Sequence, residues 1–221
     1  MQNSDLIEIK NLFVEYKTKK GILGGEKIIH AVNGVNLEIK KGEILAIAGE
    51  SGCGKSTLAK ALIKLEPVKS GEIMFEGLNI LTQNKKELRE FRKHAQMVFQ
   101  NPYASLNPKM KIGEILKEPL IINTKLSKQE ISAIIKEKIK LVGLDENCLD
   151  LYPHEFSGGQ RQRIAIARAL VLDPEFILAD EPVSALDVSI QAQVINLIKE
   201  LKENYNLTFL LITHDMSVIE Y

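Results

Sequence analysis

Residues 43–57 read EILAIAGESGCGKST, and their order decides the fold. The run 43–48 is short and almost wholly apolar, which suits a strand in a sheet covered on both faces. Gly49, Gly52 and Gly54 follow, and then Lys55, Ser56 and Thr57 open a helical pattern that runs to about Leu65. A strand, then Gly-x-x-x-x-Gly-Lys-Ser, then a helix is the context of a phosphate-binding loop. Glycine frees the backbone across Gly49, Glu50, Ser51, Gly52, Cys53 and Gly54 to wrap closely, with N–H groups turned inward. The helix start adds a favourable partial charge. Lys55 is the cation for the β- and γ-phosphates, and the Ser56 hydroxyl is a Mg²⁺ ligand. A chance glycine-rich turn gives no reason for lysine, serine, strand and helix to agree.

A second apolar strand, Phe176–Ala179, ends in Asp180 and Glu181. Ligands of open α/β sheets gather beyond the carboxyl ends of strands. Asp180 is therefore placed to hold the Mg²⁺ shell, and Glu181 to polarise an attacking water as a general base. The competing reading is that both acids cap the next segment. A third buried strand, Thr208–Thr213, ends at His214. A histidine at a strand end is usually structural, but its position beside Glu181 makes it a γ-phosphate contact that holds the water geometry. Gln100 ends MVFQ just before an irregular loop, where it can meet Mg²⁺ or the water. Tyr16 ends the first expected strand and offers a ring to stack on adenine. Phe13 and His30 compete with it, as does plain core packing.

The expected strands 6–16 and 31–39 form an antiparallel pair across a long loop containing Gly21, Gly24 and Gly25. Lys17, Lys19 and Lys20 read as part of its solvated surface. Val68–Gly71 reads as a turn and 72–76 as a strand. The block from about 101 to 170 is helical in character. NPYASLNP breaks regular structure at Pro102 and Pro108. Ser127 with Glu130 is a capping box for a helix to about Val142, and Ser157 with Gln160 opens another to about Leu170. Asp187 is expected to cap a helix whose apolar face is Ile190, Val194, Leu197, Ile198 and Leu201. The fold class is α/β: a core over 1–100 and 171–221, with a helical subdomain inserted.

The glycines after Ser157 let an anion approach the helix N–H groups, and the Ser157 hydroxyl adds a donor. Ser157, Gly158, Gly159 and Gln160 thus form a second γ-phosphate receptor. It lies on the inserted block, so it is expected to face the nucleotide of another chain.

The whole-chain numbers narrow the class. The 221 residues suffice for one domain with a subdomain. Lys plus Arg (29) equals Asp plus Glu (29), so no global field draws nucleic acid or anionic lipid. Cys53 lies inside the phosphate loop, and with only Cys148 besides, the pattern fits a reducing compartment rather than a disulfide framework. No stretch approaches the roughly 18 apolar residues of a membrane span, and the start MQNSDLIEIK has no apolar signal core.

Taken together, these motifs resemble the ATPase subunit of an ABC transporter along essentially the whole chain. GESGCGKST is similar to the Walker A loop, LADE to Walker B, Gln100 to the Q-loop, FSGGQ to the signature and His214 to the H-loop, in family order. Ser184-Ala185-Leu186-Asp187 resembles the D-loop, which in the family crosses a dimer interface. Phe156 stands where leucine is commoner. HAVNGVNLEIKKGE, FQNPYASLNP and YPHEFSGGQRQR resemble the dipeptide/oligopeptide/nickel importer branch, and its second ATPase in particular. The resemblance implies a P-loop NTPase (RecA-like) core with an antiparallel β subdomain. It implies ATP and Mg²⁺ as ligands, with Ser56, Gln100 and Asp180 on the metal and Lys55, Glu181 and His214 catalytic. The implied partners are a second homologous ATPase, in a heterodimer or a homodimer, two integral permease subunits and, indirectly, an extracytoplasmic solute-binding protein. Nucleic acid is not among them. The implied place is the cytoplasmic face of the membrane, as a peripheral subunit. Peptide import is the first expectation and nickel import the alternative; a soluble ABC ATPase working on DNA or ribosomes is the alternative from another class. Family members continue past the H-loop histidine, so the end at Tyr221 is expected to be a truncation.

Overall fold

The computed structural model describes residues 5–19, 26–216 and 218. Strands β1 (Asp5–Lys19) and β2 (Glu26–Lys40) pair antiparallel along most of their length. Lys17 lies in that ladder opposite Ile28, and Lys19 opposite Glu26, so neither belongs to a loop as the sequence suggested. Lys20, Gly21, Gly24, Gly25 and Tyr221 lie outside the described residues. Strands β3 (Ile44–Ala48), β4 (Ser70–Phe75), β5 (Leu78–Asn79), β6 (Ala95–Val98), β7 (Phe176–Asp180) and β8 (Thr208–Thr213) complete two sheets. One is antiparallel, in the order β2-β1-β4-β5; the other is parallel, in the order β3-β8-β7-β6. Gly71 belongs to β4 rather than to the turn before it. A Cβ there would sit 2.4 Å from the Asn11 carbonyl oxygen, where the β1–β4 register slips, so only glycine lets the two backbones meet.

Helices α1 (Lys55–Leu62) and α2 (Lys85–His94) precede β6. Four more lie between β6 and β7: α3 (Pro102–Ser105), α4 (Ile112–Asn123), α5 (Lys128–Leu141) and α6 (Gly158–Leu170). Helix α7 (Val188–Tyr205) joins β7 to β8. The capping boxes at Ser127/Glu130 and Ser157/Gln160 are both made, and each helix starts where its box places it. Helix α1 stops short of Leu65, because Lys64 turns to φ 54°. Asp187 occupies the N-cap position of α7 but makes no side-chain cap bond, contrary to expectation.

Strands β7 and β8 are buried at every residue and divide two cores by their two-residue period. Phe176, Leu178, Leu210 and Ile212 face the antiparallel sheet and α1, with Leu6, Ile9 and Leu12. Ile177, Ala179, Phe209 and Leu211 face α6 and α7, with Ile164, Val194 and Ile198. Burying such a side chain contributes about 1.5–3 kcal/mol each. Strand β3 departs from its expected double-sided burial. Among the described residues it pairs only with β8 and forms the sheet edge, and all five of its residues are half-buried.

Candidate functional site

The carboxyl ends of β3 and β7, Gln100 just beyond β6, the loop before α1 and one end of the β1–β2 pair meet around a cavity of about 510 Å³. Residues Ser51 to Thr57 line it. Gly54 has φ 101°, and a Cβ there would come within 2.0 Å of the Ala31 carbonyl oxygen. The loop can therefore lie against β2 only with glycine at that position. Gly52 also has positive φ (83°), and a Cβ on Gly49 would press to 3.2 Å from Cys53 Sγ. Lys55 is 7% exposed, and its Nζ donates to the carbonyl oxygens of Gly49 and Glu50, at 2.7 Å each. The ammonium sits folded into its own loop, where phosphate oxygens would compete with those carbonyls.

The Ser56 hydroxyl donates to Asp180 Oδ1 at 2.9 Å. Asp180 is buried, and burial pushes its carboxyl above the ordinary aspartate range. The Ser56 hydrogen bond works the other way, and the Glu181 charge adds to the rise. A buried carboxylate beside a hydroxyl at the edge of a phosphate loop is a fitting donor set for a hard divalent cation, which would relieve the desolvated charge. Among the described residues no group of three His, Cys, Asp or Glu could hold a metal alone, so phosphate oxygens and water would have to complete the shell.

Glu181 follows β7 with φ 48°, and its N–H donates to the Ile212 carbonyl at 2.9 Å, which locks the turn to β8. Its carboxylate is gripped on both oxygens. Gln100 Nε2 donates to Oε2 at 2.7 Å, and His214 Nδ1 lies 3.2 Å from Oε1. Two residues far apart in sequence thus converge on one carboxylate. Thr213, which the sequence reading missed, braces the turn that carries His214. Its hydroxyl exchanges hydrogen bonds with the Asp215 backbone on either side of His214, and Thr-His-Asp is the local signal for that turn.

Tyr16, Ile29, His30 and Ala31 wall the far end of the cavity. Phe13 is not there; it packs against Gly34 instead. His30 Nδ1 lies 2.9 Å from Glu15, whose carboxyl is held below its ordinary range chiefly by Lys69.

Ser157, Gly158, Gly159 and Gln160 do not line this cavity. The Ser157 hydroxyl accepts from the Gln160 N–H, and Gln160 Oε1 accepts from the Ser157 N–H. Ser157, Gly158 and Gln160 are exposed, as is Asp187. The glycines have a packing reason besides anion access: a Cβ on Gly159 would come within 2.4 Å of Ile190 Cγ2, and one on Gly158 within 3.2 Å of Leu186 Cδ2. A second cavity, about 570 Å³, opens between α2, β6 and the inserted helices. Arg89, Arg92 and Arg168 line it, along with the exposed apolar side chains Leu65, Phe99 and Ile122.

Known proteins resemble this chain in sequence and in fold. The sequence profile of the ABC transporter family matches residues 32–184. The dipeptide transport ATP-binding protein DppF of Haemophilus influenzae is 49% identical over 220 residues, covering 100% of this chain and 67% of that protein. The oligopeptide transport ATP-binding protein OppF of Bacillus subtilis is 50% identical over 219 residues, covering 98% of this chain and 70% of its own length. The chain thus spans about two thirds of the curated relatives it matches (67% and 70% in these two). Among solved structures, the dimeric post-hydrolysis cassette MJ0796 bound to ADP and Pi superposes with a TM-score of 0.84 at 35% identity, over 96% of this chain and 89% of that one. CbiO1 of Clostridium perfringens, part of the ABC transporter complex cbiONQ, gives 0.83 at 29% identity, over 97% and 80%. Among the described residues no helix is long and apolar enough to cross a membrane.

Proposed function

The chain belongs to the ABC transporter family, and on that premise we propose that it binds and hydrolyses ATP as one of two ATPase subunits that drive peptide import through membrane permease subunits. The observation that carries the reading is the convergence of Gln100 and His214 on Glu181, beside a Ser56–Asp180 pair and a glycine-shaped phosphate loop. The loop N–H groups and Lys55 bind the phosphates, and Tyr16 stacks on the base. Ser56, Asp180 and the Gln100 side chain would hold Mg²⁺, which would neutralise phosphate charge. Glu181 orients a water and accepts its proton as the oxygen attacks the γ-phosphorus and the bond to ADP breaks. Gln100 and His214 fix the carboxylate for that transfer. Ser157, Gly158, Gly159 and Gln160 serve the ATP of a partner subunit, and Asp187 lies at that interface. Work at the inner face of a membrane follows from permease partners. We assign a permease contact to the groove beside Gln100, whose exposed Leu65, Phe99 and Ile122 suit an apolar face and whose arginines suit acidic ends. The peptide names of the relatives support peptides over nickel as cargo.

Glu181→Gln tests the chemistry. It keeps the shape and removes the proton acceptor, so ATP affinity stays near parental while turnover falls roughly 10²–10⁴-fold, the usual worth of a general base. Unchanged turnover in a stopped assay of phosphate release would remove Glu181 from that role.

A further inference from the structure

The stretch after Gln100 is fastened to helix α6 at two points. Asn101 caps α3 by accepting from the N–H groups of Tyr103 and Ala104, at 2.9 and 3.3 Å, so the Gln100 backbone runs directly into a fixed turn. The Tyr103 ring then lies under the Arg161 guanidinium, 3.7 Å from the ring centroid. At the far end of α3, Arg168 Nη1 donates to the Ser105 carbonyl at 2.9 Å. Arg161 is an unusual residue for this job. It is only 7% exposed, and among the described residues it makes no ion pair. Its Nε donates to the Pro153 carbonyl at 2.8 Å, and the Tyr103 ring adds the second electrostatic partner of the buried charge. Its own N–H donates to the Ser157 carbonyl at 3.0 Å, the first helical bond of α6. Tyr103 itself is 60% exposed and has little packing reason to be aromatic.

We propose that Tyr103 and Arg161 form a strut that makes α3 and the start of α6 move together. The position of Gln100 in this chain's own ATP cavity then sets the orientation of Ser157 and its glycines. This rests on the ATPase reading above and adds the residues that join the two receptors. At one end Gln100 is tied to Glu181, at 2.7 Å. At the other, Arg161 is one helical turn from Ser157. A nucleotide that shifts Gln100 therefore biases an element that this chain's nucleotide does not touch. Such a bias is bounded by the interaction that transmits it.

Hydrogen exchange tests this on the chain diluted until sizing shows a monomer, so that no partner's nucleotide reaches Ser157. The background is Glu181→Gln, with Mg-ATP added. Peptides covering 49–57 report nucleotide binding, and peptides covering 157–163 report the coupled helix. In the parent both slow, the helix by roughly 3-fold, as a cation–π contact of this exposure can transmit. Tyr103→Ala keeps the loop response and loses most of the helix response, and Tyr103→Phe, which keeps the ring face, restores it. A purely structural Tyr103 would lower Tm and leave the ATP-dependent difference in place. An identical helix response in Tyr103→Ala and parent overturns the strut, and so does a parent whose loop responds while its helix does not. A parent whose loop fails to respond sinks the nucleotide reading itself.

Discussion

Asp180 shows how a single residue can be tuned against the stability of its own chain. It is 4% exposed, and burial raises its carboxyl pKa, only partly offset by Ser56. A carboxyl whose folded pKa lies above its unfolded one contributes stability below the unfolded value and loses it as pH rises through the folded value. At neutral pH the ionised side chain therefore works against folding in the absence of a cation. Asp180→Asn is expected to raise Tm of the ligand-free chain by about 2–4 °C, the shift that ~1 kcal/mol gives in a domain of this size. It is also expected to abolish Mg²⁺-dependent turnover. Calorimetry of the ligand-free chain checks the first half and a phosphate-release assay with MgCl₂ the second, and a lowered ligand-free Tm would contradict the argument. The residues of the phosphate loop were legible because their chemistry is local: Gly, Lys and Ser at fixed offsets between a strand and a helix. The demand on Gly54 was legible only in part, since the carbonyl it must avoid belongs to Ala31, on another strand.

Elements divide along the same line between local and distant causes. Helices α5 and α6 could be placed from capping boxes, which need four consecutive residues and nothing else. Helix α2 carries the same kind of signal at Asn84 and Glu87, but it buries only Phe91, so no apolar periodicity drew attention to it. The edge position of β3 depends on which strands pair with it, and its near-continuous apolar run conceals that. The start of α6 is the sharpest case. Gly159 suggests an anion site by its sequence, yet its hydrogen also fills the only space left by Ile190 on α7. Gly159→Ala should therefore destabilise the fold by roughly 1–3 kcal/mol through overpacking. Adding Ile190→Ala should recover part of that loss, because the two sites share one contact. A denaturant double-mutant cycle measures it. Additive effects would show that the clash is relieved elsewhere and that α6 is not seated on α7 through this pair.

At the scale of the whole molecule, the two proposed phosphate receptors do not share one cavity. One lies at the carboxyl ends of the parallel strands, and the other opens outward from the inserted helices without lining that cavity. Facing two copies or two homologues across a two-fold axis would give each cavity a foreign α6, an isologous arrangement that closes on itself. This makes a prediction about which pairs of lesions add. Lys55→Ala removes a chain's own loop, and Ser157→Arg fills the receptor it offers outward. Suppose the two lesions sit on opposite chains of a mixed dimer. Both then fall on the same composite site, the other is untouched, and roughly half the parental rate survives, one site of two. With both lesions on one chain beside an intact partner, each composite site carries one lesion and turnover collapses. If each chain instead used its own Ser157, the outcomes would reverse: opposite-chain lesions would kill both chains, and same-chain lesions would spare the intact one. Tagged mixed dimers purified by sequential affinity steps and assayed for phosphate release separate the two arrangements, because no common loss of stability can produce that exchange of outcomes.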